Sequence, residues 1–399
     1  MNPASSKRLA LPAGIWALGM VSLLMDMSSE MIHALLPAFL VGTLGLSALA
    51  LGLIEGVAEA IASLTKIFSG VLSDRFGRRK PLVLLGYGLA ALSKPMFPLA
   101  HHAGMAVAAR WIDRIGKGIR GAPRDALVAD ITPLEQRGAA YGLRQSLDTA
   151  GAFAGPLLAT ALMVLAAFDI RMIFWIAVLP ALLAVAVLAV FVREPGYPAP
   201  NHRPREYLFV GWRRFPKKFW TLVALVLMFT LMRFSEAFLV LRAIDAGLPT
   251  AYLPMTLVVM SGTYMLTAYP AGWLSDRISR HGLLAAGCAV MIAADLLLAF
   301  GNTLATVGFG IAAWGVHMGL TEGLLAALTA EYAPADLRGT AFGIVNLARG
   351  LMLLPASALA GALWTWYGPG TTFLAGAVAA LLTGALAMAM HARRPSTAN

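Results

Sequence analysis

Residues 70–79 of the sequence, Gly-Val-Leu-Ser-Asp-Arg-Phe-Gly-Arg-Arg, form a short charged segment between two long apolar runs. The pattern returns at residues 272–277, where the chain reads Gly-Trp-Leu-Ser-Asp-Arg. The two aspartates, Asp74 and Asp276, are 202 residues apart (276 − 74 = 202). A repeat at about half the length of the chain predicts two structurally similar halves.

A second, unrelated pattern repeats at nearly the same distance. Residues 133–142 read Pro-x-x-x-Arg-Gly-x-Ala-aromatic-Gly, and residues 334–343 follow the same pattern. The arginines of the two copies, Arg137 and Arg338, are 201 residues apart (338 − 137 = 201). Two unrelated motifs with nearly one offset indicate duplication of a unit, which chance similarity between Leu- and Ala-rich segments would not produce.

The composition is that of a membrane protein. Of the 399 residues, 59% are apolar and 13% are charged, whereas a globular domain has about 45–50% apolar and about 25% charged residues. These figures argue against a soluble enzyme and exclude disorder. The net charge of +11 is assigned to cytoplasmic loops, so no nucleic-acid partner is expected. Cys288 is the single cysteine, which excludes a disulfide framework and a cysteine-based metal site; no cofactor is expected.

Twelve apolar runs predict twelve membrane-spanning helices, because a helix needs about 20 apolar residues to cross the bilayer. The runs lie at about 14–44, 47–72, 81–100, 103–126, 138–167, 171–192, 219–246, 250–274, 282–300, 304–330, 339–367 and 369–390. The predicted fold class is an all-α integral membrane protein with two pseudo-symmetric six-helix bundles. The bundles are residues 1–193 and 219–399.

Residues 194–218 form the linker between the bundles, and they are rich in proline and arginine. A basic helix lying on the anionic inner leaflet is favoured over a plain linker. Lys and Arg concentrate at both termini and after the even-numbered spans, whereas the opposite loops contain only Arg171. The excess of positive charge predicts a cell (inner) membrane protein with both termini in the cytoplasm. A monomer in the lipid bilayer is expected.

Residues 70–79 resemble the signature between helices 2 and 3 of the major facilitator superfamily, and the second copy departs from it because Ser279 replaces a glycine. The resemblance implies that this cluster closes the cytoplasmic side in the outward-open state. The alternative is plain anchoring by positive charge, which would explain the arginines but neither aspartate. The implied cytoplasmic gate comprises Gly70, Asp74, Arg75, Gly77, Arg78, Arg79, Asp276 and Arg277.

Two further segments resemble the same family. Arg110, on the fourth span, resembles the buried arginine of the family, and residues 113–127 are similar to a prokaryotic subgroup with the pattern D-R-x-G-K-G-x-R-x-x-P-R-D-A-L. On the fifth span, Gly151-x-x-x-Gly155-Pro156 resembles the antiporter motif and implies a hinge associated with exporters. The alternative for these glycines is close helix packing.

The fourth span carries a stripe of charged side chains. At 100° per residue the stripe covers an arc of about 140°, and from Arg110 to Arg124 it rises about 21 Å, most of the hydrocarbon thickness. Because charge at the bilayer centre costs at least about 2.5–3.5 kcal/mol, this face is predicted to line a wet cavity or a polar seam. For Arg120, Arg124 and Asp125, anchoring at the cytoplasmic end is the favoured alternative.

The first span presents three ionisable residues on one helical face: Asp26, Glu30 and His33. A carboxylate whose water access and arginine contact change between two conformations binds a proton on one side and releases it on the other. We therefore predict that Asp26 and Glu30 carry protons, with Arg110 and Arg114 as counter-charges.

Other charged residues within the spans are candidates for a substrate cavity. Lys94 is expected to extend to the membrane interface, and Asp295 and His317 are weaker functional candidates. The predicted cavity residues are His33, Asp113, Lys117, Arg144, Asp148, Arg233, Glu236, Glu322 and Arg349.

The predicted function is secondary transport by alternating access, because duplicated bundles place a solute site at their interface. Proton-coupled efflux of a small organic solute is favoured, and uptake or exchange of an anionic solute is the alternative. A non-transporting receptor of the same fold is a further alternative. An enzyme is not expected, because the sequence contains neither a Gly-x-Ser-x-Gly motif nor paired metal-ligand histidines.

Overall fold

The computed structural model describes residues 11–76, 78–133, 136–194, 214–275, 277–334 and 337–392. The first half contains α1 Ala13–His33, α2 Ala48–Phe76, α3 Lys80–Ser93, α4 Ala103–Ile131, α5 Arg137–Leu165 and α6 Ile170–Phe191. The second half contains α7 Lys217–Met232, α8 Ala237–Asp245, α9 Met255–Ser275, α10 Arg280–Phe300, α11 Leu304–Tyr332, α12 Arg338–Tyr367 and α13 Pro369–Ala392.

These helices form twelve spans. A π-helical turn, Ala38–Thr43, extends the first span, and α7 and α8 form one span that is interrupted at residues 233–236. Over the described ranges, ten spans are long and apolar enough to cross a membrane. The other two are α3, which a 3-10 turn extends from Lys94 to Met96, and α4, which carries the charged stripe. The all-α membrane fold is therefore confirmed, and the sequence did not predict the interruption.

The duplication is visible in the helix lengths. Helices α4 and α11 both contain 29 residues, and their first residues are 201 positions apart (304 − 103 = 201). Helices α5 and α12 begin 201 positions apart as well (338 − 137 = 201). The helices α4 and α5 are therefore related to α11 and α12 by nearly the same offset as the sequence motifs. Residues 195–213, most of the predicted linker, lie outside the described residues, so the basic surface helix stays a prediction.

Within the first half, α5 packs closely against α1. A Cβ atom at Gly151 or Gly155 would collide with the backbone carbonyls of Leu23 or Met27, so only glycine permits this distance between the helices. Helix α5 continues unbroken past Pro156. The glycines therefore have the packing role described by the simpler alternative, and a hinge at this position stays a prediction.

The two halves meet along a seam between α2 and α12, again at glycines. A Cβ atom at Gly52 would collide with the carbonyl of Ser357, and one at Gly56 would lie 2.7 Å from the Cα atom of Leu354. The same crowding occurs at Gly361, which faces the start of α2. These contacts all lie in the part of α2 that follows the first loop of the chain.

At the other end of α2 the large side chains are exposed. Phe68 and Leu72 face outward there, as does Tyr269 near the corresponding end of α9. The close approaches between the halves therefore lie toward the end of the bundle that carries the loop between α1 and α2.

This seam can be tested by cross-linking. The backbone N–H of Leu49 donates a hydrogen bond of 3.1 Å to Oγ1 of Thr365, so cysteines at these two positions are close enough for a disulfide. In a Cys288→Ser background, Leu49→Cys/Thr365→Cys is expected to form an intramolecular disulfide under mild oxidation. The readout is the electrophoretic shift of a chain cleaved between the halves, with each single cysteine variant as control. Absence of the cross-link would contradict the seam.

Candidate functional site

A deeply buried ion pair joins α2 to α4. The Arg110 guanidinium donates two hydrogen bonds to the Glu55 carboxylate, from Nε at 3.0 Å and from Nη2 at 2.6 Å. Both residues are 3% exposed. A bidentate pair satisfies two charges that neither lipid nor a dry interior could accommodate singly.

His33 connects this pair to α1. Its Nδ1 lies 3.2 Å from Oε2 of Glu30, and its Nε2 lies 3.6 Å from Oε2 of Glu55. Because both ring nitrogens face carboxylate oxygens, the arrangement suits an imidazolium that carries a proton on each nitrogen. His33, predicted as a cavity residue, therefore lies within a chain of charges that runs from α1 to α4.

Asp113 forms the centre of a second buried group of charges. Its Oδ1 accepts a hydrogen bond of 2.8 Å from Nζ of Lys94, and the Arg110 and Arg114 guanidiniums lie 4.0 and 3.9 Å from its carboxylate. Lys94 is 1% exposed and also donates to Oγ of Ser29. The expectation that Lys94 reaches the membrane interface was wrong, because Asp113 provides a partner inside the bundle.

Arg114 forms a further pair with α2, 3.0 Å from Oε1 of Glu59, whose side chain is 33% exposed. Arg110 and Arg114 thus pair with two carboxylates that are one turn apart on α2. Arg110 and Arg114 were predicted to be the counter-charges of Asp26 and Glu30. In this conformation they pair with Glu55 and Glu59 instead. The sequence contains a signal for this pairing, because Glu55 and Glu59 have the same spacing of four residues as Arg110 and Arg114.

Asp26 lies instead beside Asp148 of α5. The two carboxyl groups interact directly, and their negative charges repel each other unless one of them carries a proton. Arg120 lies 3.7 Å from Asp26 and stacks on the ring of Tyr87, with its Cζ 4.6 Å from the ring centroid. Arg124 and Arg144 lie 3.7 and 3.5 Å from Asp148, so arginines flank the carboxyl pair on both sides.

Lys117 has a different environment from the rest of the α4 stripe. Its side chain is exposed, and within the described ranges it forms no ion pair shorter than 4.0 Å. It interacts electrostatically with the carboxylates of Asp26, Glu30 and Glu59. Lys117 is therefore an exposed cation near the carboxylates of α1 and α2, and it has no ion-pair partner among the described residues.

The second half has a smaller charged group at the interruption between α7 and α8. Glu322 of α11 accepts hydrogen bonds from Arg233, in the interruption, and from Arg349 of α12 at 2.5 and 3.0 Å. Glu236, in the same interruption, interacts electrostatically with Arg233 and with His33 of the first half. Glu236 is therefore the predicted cavity residue of the second half that interacts with a charge of the first half, whereas the common cavity stays a prediction.

Only part of the predicted gate can be described. Gly77 and Asp276 lie outside the described residues, as do the side chains of Asp74 and Arg75. Gly70 packs on Ala122 of α4, where an added Cβ would lie 3.3 Å from that methyl group. Arg78 is exposed.

Arg79 connects three parts of the first half. Its guanidinium pairs with Asp130 of α4, and the backbone N–H groups of Arg79 and Lys80 donate to the carboxylate of Glu194, which follows α6. A cavity of about 230 Å³ lies between α2 and α4 beside this pair. In the second half, Arg277 stacks on Trp273 with its Cζ 3.6 Å from the ring centroid.

Two duplicated bundles of apolar helices, with paired charges buried inside each of them, are the architecture of a multi-pass membrane transporter. The sequence matches the Major Facilitator Superfamily over residues 18–357. The chain belongs to this superfamily, which confirms the resemblance of residues 70–79. The subgroup pattern on α4 stays a prediction.

Similar proteins agree with this assignment. An uncharacterized MFS-type transporter of Methanocaldococcus jannaschii is 32% identical over 383 residues, covering 94% of each chain. The multidrug resistance protein MdtH of Yersinia pestis is 25% identical over 355 residues, covering 86% of this chain and 84% of MdtH. The crystal structure of the nucleoside transporter NupG superimposes with a TM-score of 0.78 at 12% identity, covering 96% of this chain and 100% of NupG. The last similarity concerns the fold alone.

Stability measurements on two glutamate variants can test the buried network. Glu55→Gln removes the charge that neutralises Arg110, and we expect a loss of about 3–5 kcal/mol in the free energy of unfolding. Glu59→Gln is the matched control one turn away; because Glu59 is one-third exposed and Arg114 keeps the Asp113 carboxylate at 3.9 Å, we expect a clearly smaller loss. Denaturant unfolding in detergent measures both. Equal losses would contradict the difference in burial.

Proposed function

We propose that this protein is a secondary active transporter that works by alternating access and is coupled to protons. The observation that carries the proposal is the carboxyl pair of Asp26 and Asp148, which joins α1 to α5 inside the first half. Two carboxylates in contact cannot both be ionised cheaply, so the pair holds one proton. The flanking Arg120, Arg124 and Arg144 would favour release of that proton once water reaches the pair.

Glu30 contributes through His33. A proton can pass between the Glu30 carboxylate and the imidazole in contact with it, and Glu55 stabilises the imidazolium on the other side. The originally predicted carrier pair, Asp26 and Glu30, is therefore extended by Asp148 and His33. Arg110 and Arg114 fix the α2 carboxylates and would exchange partners only when α1 moves relative to α4.

The proposed orientation also assigns a conformational state. If both termini are cytoplasmic, as the loop charges predict, the α2–α12 seam lies on the periplasmic side. The structure then corresponds to an inward-facing state. The residues 70–79 and 272–277 would close the cytoplasmic side in the opposite state, with Asp74 and Asp276 as the aspartates of the two copies. We further propose the inner membrane as the location and a monomer as the transporting unit.

A small organic solute is the proposed substrate, and efflux is the favoured direction. The support comes from the glycine-proline motif of α5 and from the similarity to MdtH, whose name describes multidrug resistance. A second candidate, uptake or exchange of an anionic solute, is favoured by Lys117, because an exposed ammonium group without an ion-pair partner can bind a carboxylate or phosphate. Lys117 would then be the residue that contacts the anion.

The proton pair can be tested in proteoliposomes. The probe is a compound selected by a thermal-shift screen of organic anions and cations. We expect Asp26→Asn and Asp148→Asn each to lower pH-gradient-driven transport at least tenfold, because the pair can no longer bind and release a proton. Exchange of labelled for unlabelled compound without a gradient should continue.

The matched control is Asp169→Asn, which changes an exposed aspartate at the start of α6. It should transport at the parental rate in both assays. Gradient-driven transport at the parental rate by both Asp26→Asn and Asp148→Asn would contradict proton coupling at this pair. Glu30→Gln, measured in parallel, tests the branch through His33 separately.

The anionic alternative makes a prediction about Lys117. Lys117→Gln removes the exposed cation without disturbing an ion pair, so the affinity for organic anions should fall about tenfold, the loss expected for one charge-assisted hydrogen bond. Binding is followed by isothermal titration calorimetry. Cationic compounds in the same series should bind equally well or better. Unchanged affinity for every anion that binds would exclude Lys117 from the site.

A further inference from the structure

One buried carboxyl group of the second half has no role in the network described above. Asp295 lies in α10, near the end that precedes residue 301, and it is 0% exposed. Neither of its oxygens has a hydrogen-bond partner among the residues that the structure describes. It also forms no ion pair with any of their charged side chains.

The surroundings of Asp295 are aromatic and small. A Cβ atom added to Gly376 of α13 would lie 2.5 Å from Oδ2 of Asp295 and 3.4 Å from Cε1 of Phe234. Phe234 lies in the interruption between α7 and α8, and its ring packs on Trp314 of α11 and Phe373 of α13. The indole Nε1 of Trp314 is buried without a described partner as well.

The charged groups on the neighbouring helices are occupied elsewhere. Helix α13 has no ionisable residue before His391. From α11, His317 directs its Nδ1 to the carbonyl of Gly287 at 2.8 Å, and its Nε2 has no described partner. From α8, Arg242 is held by the carbonyls of Leu298 and Gly301 and by Asp245.

Further ionisable groups lie in the interruption between α7 and α8 and on α10 itself. In the interruption, Arg233 pairs with Glu322, and Glu236 faces the first half. On α10 itself, Cys288 is an uncharged thiol two turns away, and His281 lies at the opposite end of the helix.

The duplication supplies a direct comparison. At the offset of 201 residues, Asp295 corresponds to Lys94 (295 − 94 = 201), and Trp314 corresponds to Asp113 (314 − 113 = 201). In the first half these two positions form a buried ion pair with a distance of 2.8 Å. In the second half the lysine is replaced by an acid and its acidic partner by an uncharged indole. An ionised carboxylate at this position would be buried without a counter-charge, which costs several kcal/mol.

We propose that Asp295 is a proton-binding site of the second half, separate from the pair of Asp26 and Asp148, which binds its proton when Phe234 and Gly376 close over it. In the present conformation the carboxyl group is neutral. When the interruption between α7 and α8 rearranges and admits water, Asp295 ionises. Closure of the α2–α12 seam is therefore accompanied by uptake of one proton. This linkage to the seam rests on the proposed alternating access, whereas the protonation itself does not.

Infrared difference spectroscopy on the full-length protein tests the protonation without any substrate. In an Asp26→Asn/Asp148→Asn background, which removes the proton of the first-half pair, the protein should still show the C=O band of a protonated carboxyl group in neutral buffer. Adding Asp295→Asn should remove that band. Asp113→Asn changes the carboxylate that pairs with Lys94, the first-half residue equivalent to Asp295; because that carboxylate is ionised, this variant should leave the band in place. Asp169→Asn is a second control that does not disturb the interior. A spectrum of Asp295→Asn with the band intact would overturn the proposal.

Cross-linking tests the linkage to the seam. In the Leu49→Cys/Thr365→Cys protein, the equilibrium between open and closed seam should shift toward closure as the pH falls, by up to about tenfold per pH unit for one linked proton. The pair is probed with a pH-insensitive bifunctional maleimide at several pH values. Asp295→Asn should flatten this dependence, whereas it should persist in Asp26→Asn. An unchanged pH dependence in Asp295→Asn would overturn the linkage and leave the proton-coupling proposal for Asp26 and Asp148 unaffected.

Discussion

Charge neutralisation between α2 and α4 is the constraint on which the first half depends. Arg110 and Arg114 are both at least nine-tenths buried, and each requires a carboxylate that α2 supplies at a spacing of one turn. Because an unpaired charge in this environment would cost more than most helix contacts contribute, the two pairs fix the register of α2 against α4. His33 and Asp113 then extend the network to α1 and α3, so four helices share one set of charges.

Much of the fold could be predicted from the sequence, because apolar runs and the repeated motifs report it directly. Twelve spans in two bundles and the charged face of α4 were correctly expected. The pairing of charges could not be derived, since it depends on which helices are neighbours. Lys94, for example, was assigned to the membrane interface. Its partner Asp113 is 19 positions away on another helix, and spacing along the chain does not reveal a contact of this kind. The interruption at residues 233–236 contains Arg233 and Glu236, but these charged residues were interpreted as cavity residues and not as a break in the helix.

The two halves share a fold but differ in their charges. Asp148 contributes to the first half at the position where the second half has Arg349 (349 − 148 = 201). Lys94 and Asp113 are replaced by Asp295 and Trp314 at the same offset. Duplication therefore preserved the places at which polar groups occur inside the bundle, while their signs were free to change. The two halves therefore share the arrangement of their helices, whereas the charged groups inside them can bind different ions or solutes.

The glycine seam between α2 and α12 has an energetic consequence. Backbones that touch at Gly52, Gly56 and Gly361 have no interlocking side chains to extract when they part, and lipid acyl chains can replace the lost van der Waals contact nearly atom for atom. Opposite orientations of the bundles can therefore be almost isoenergetic. A small input, such as the binding of one ion or solute, is then sufficient to decide which of them prevails.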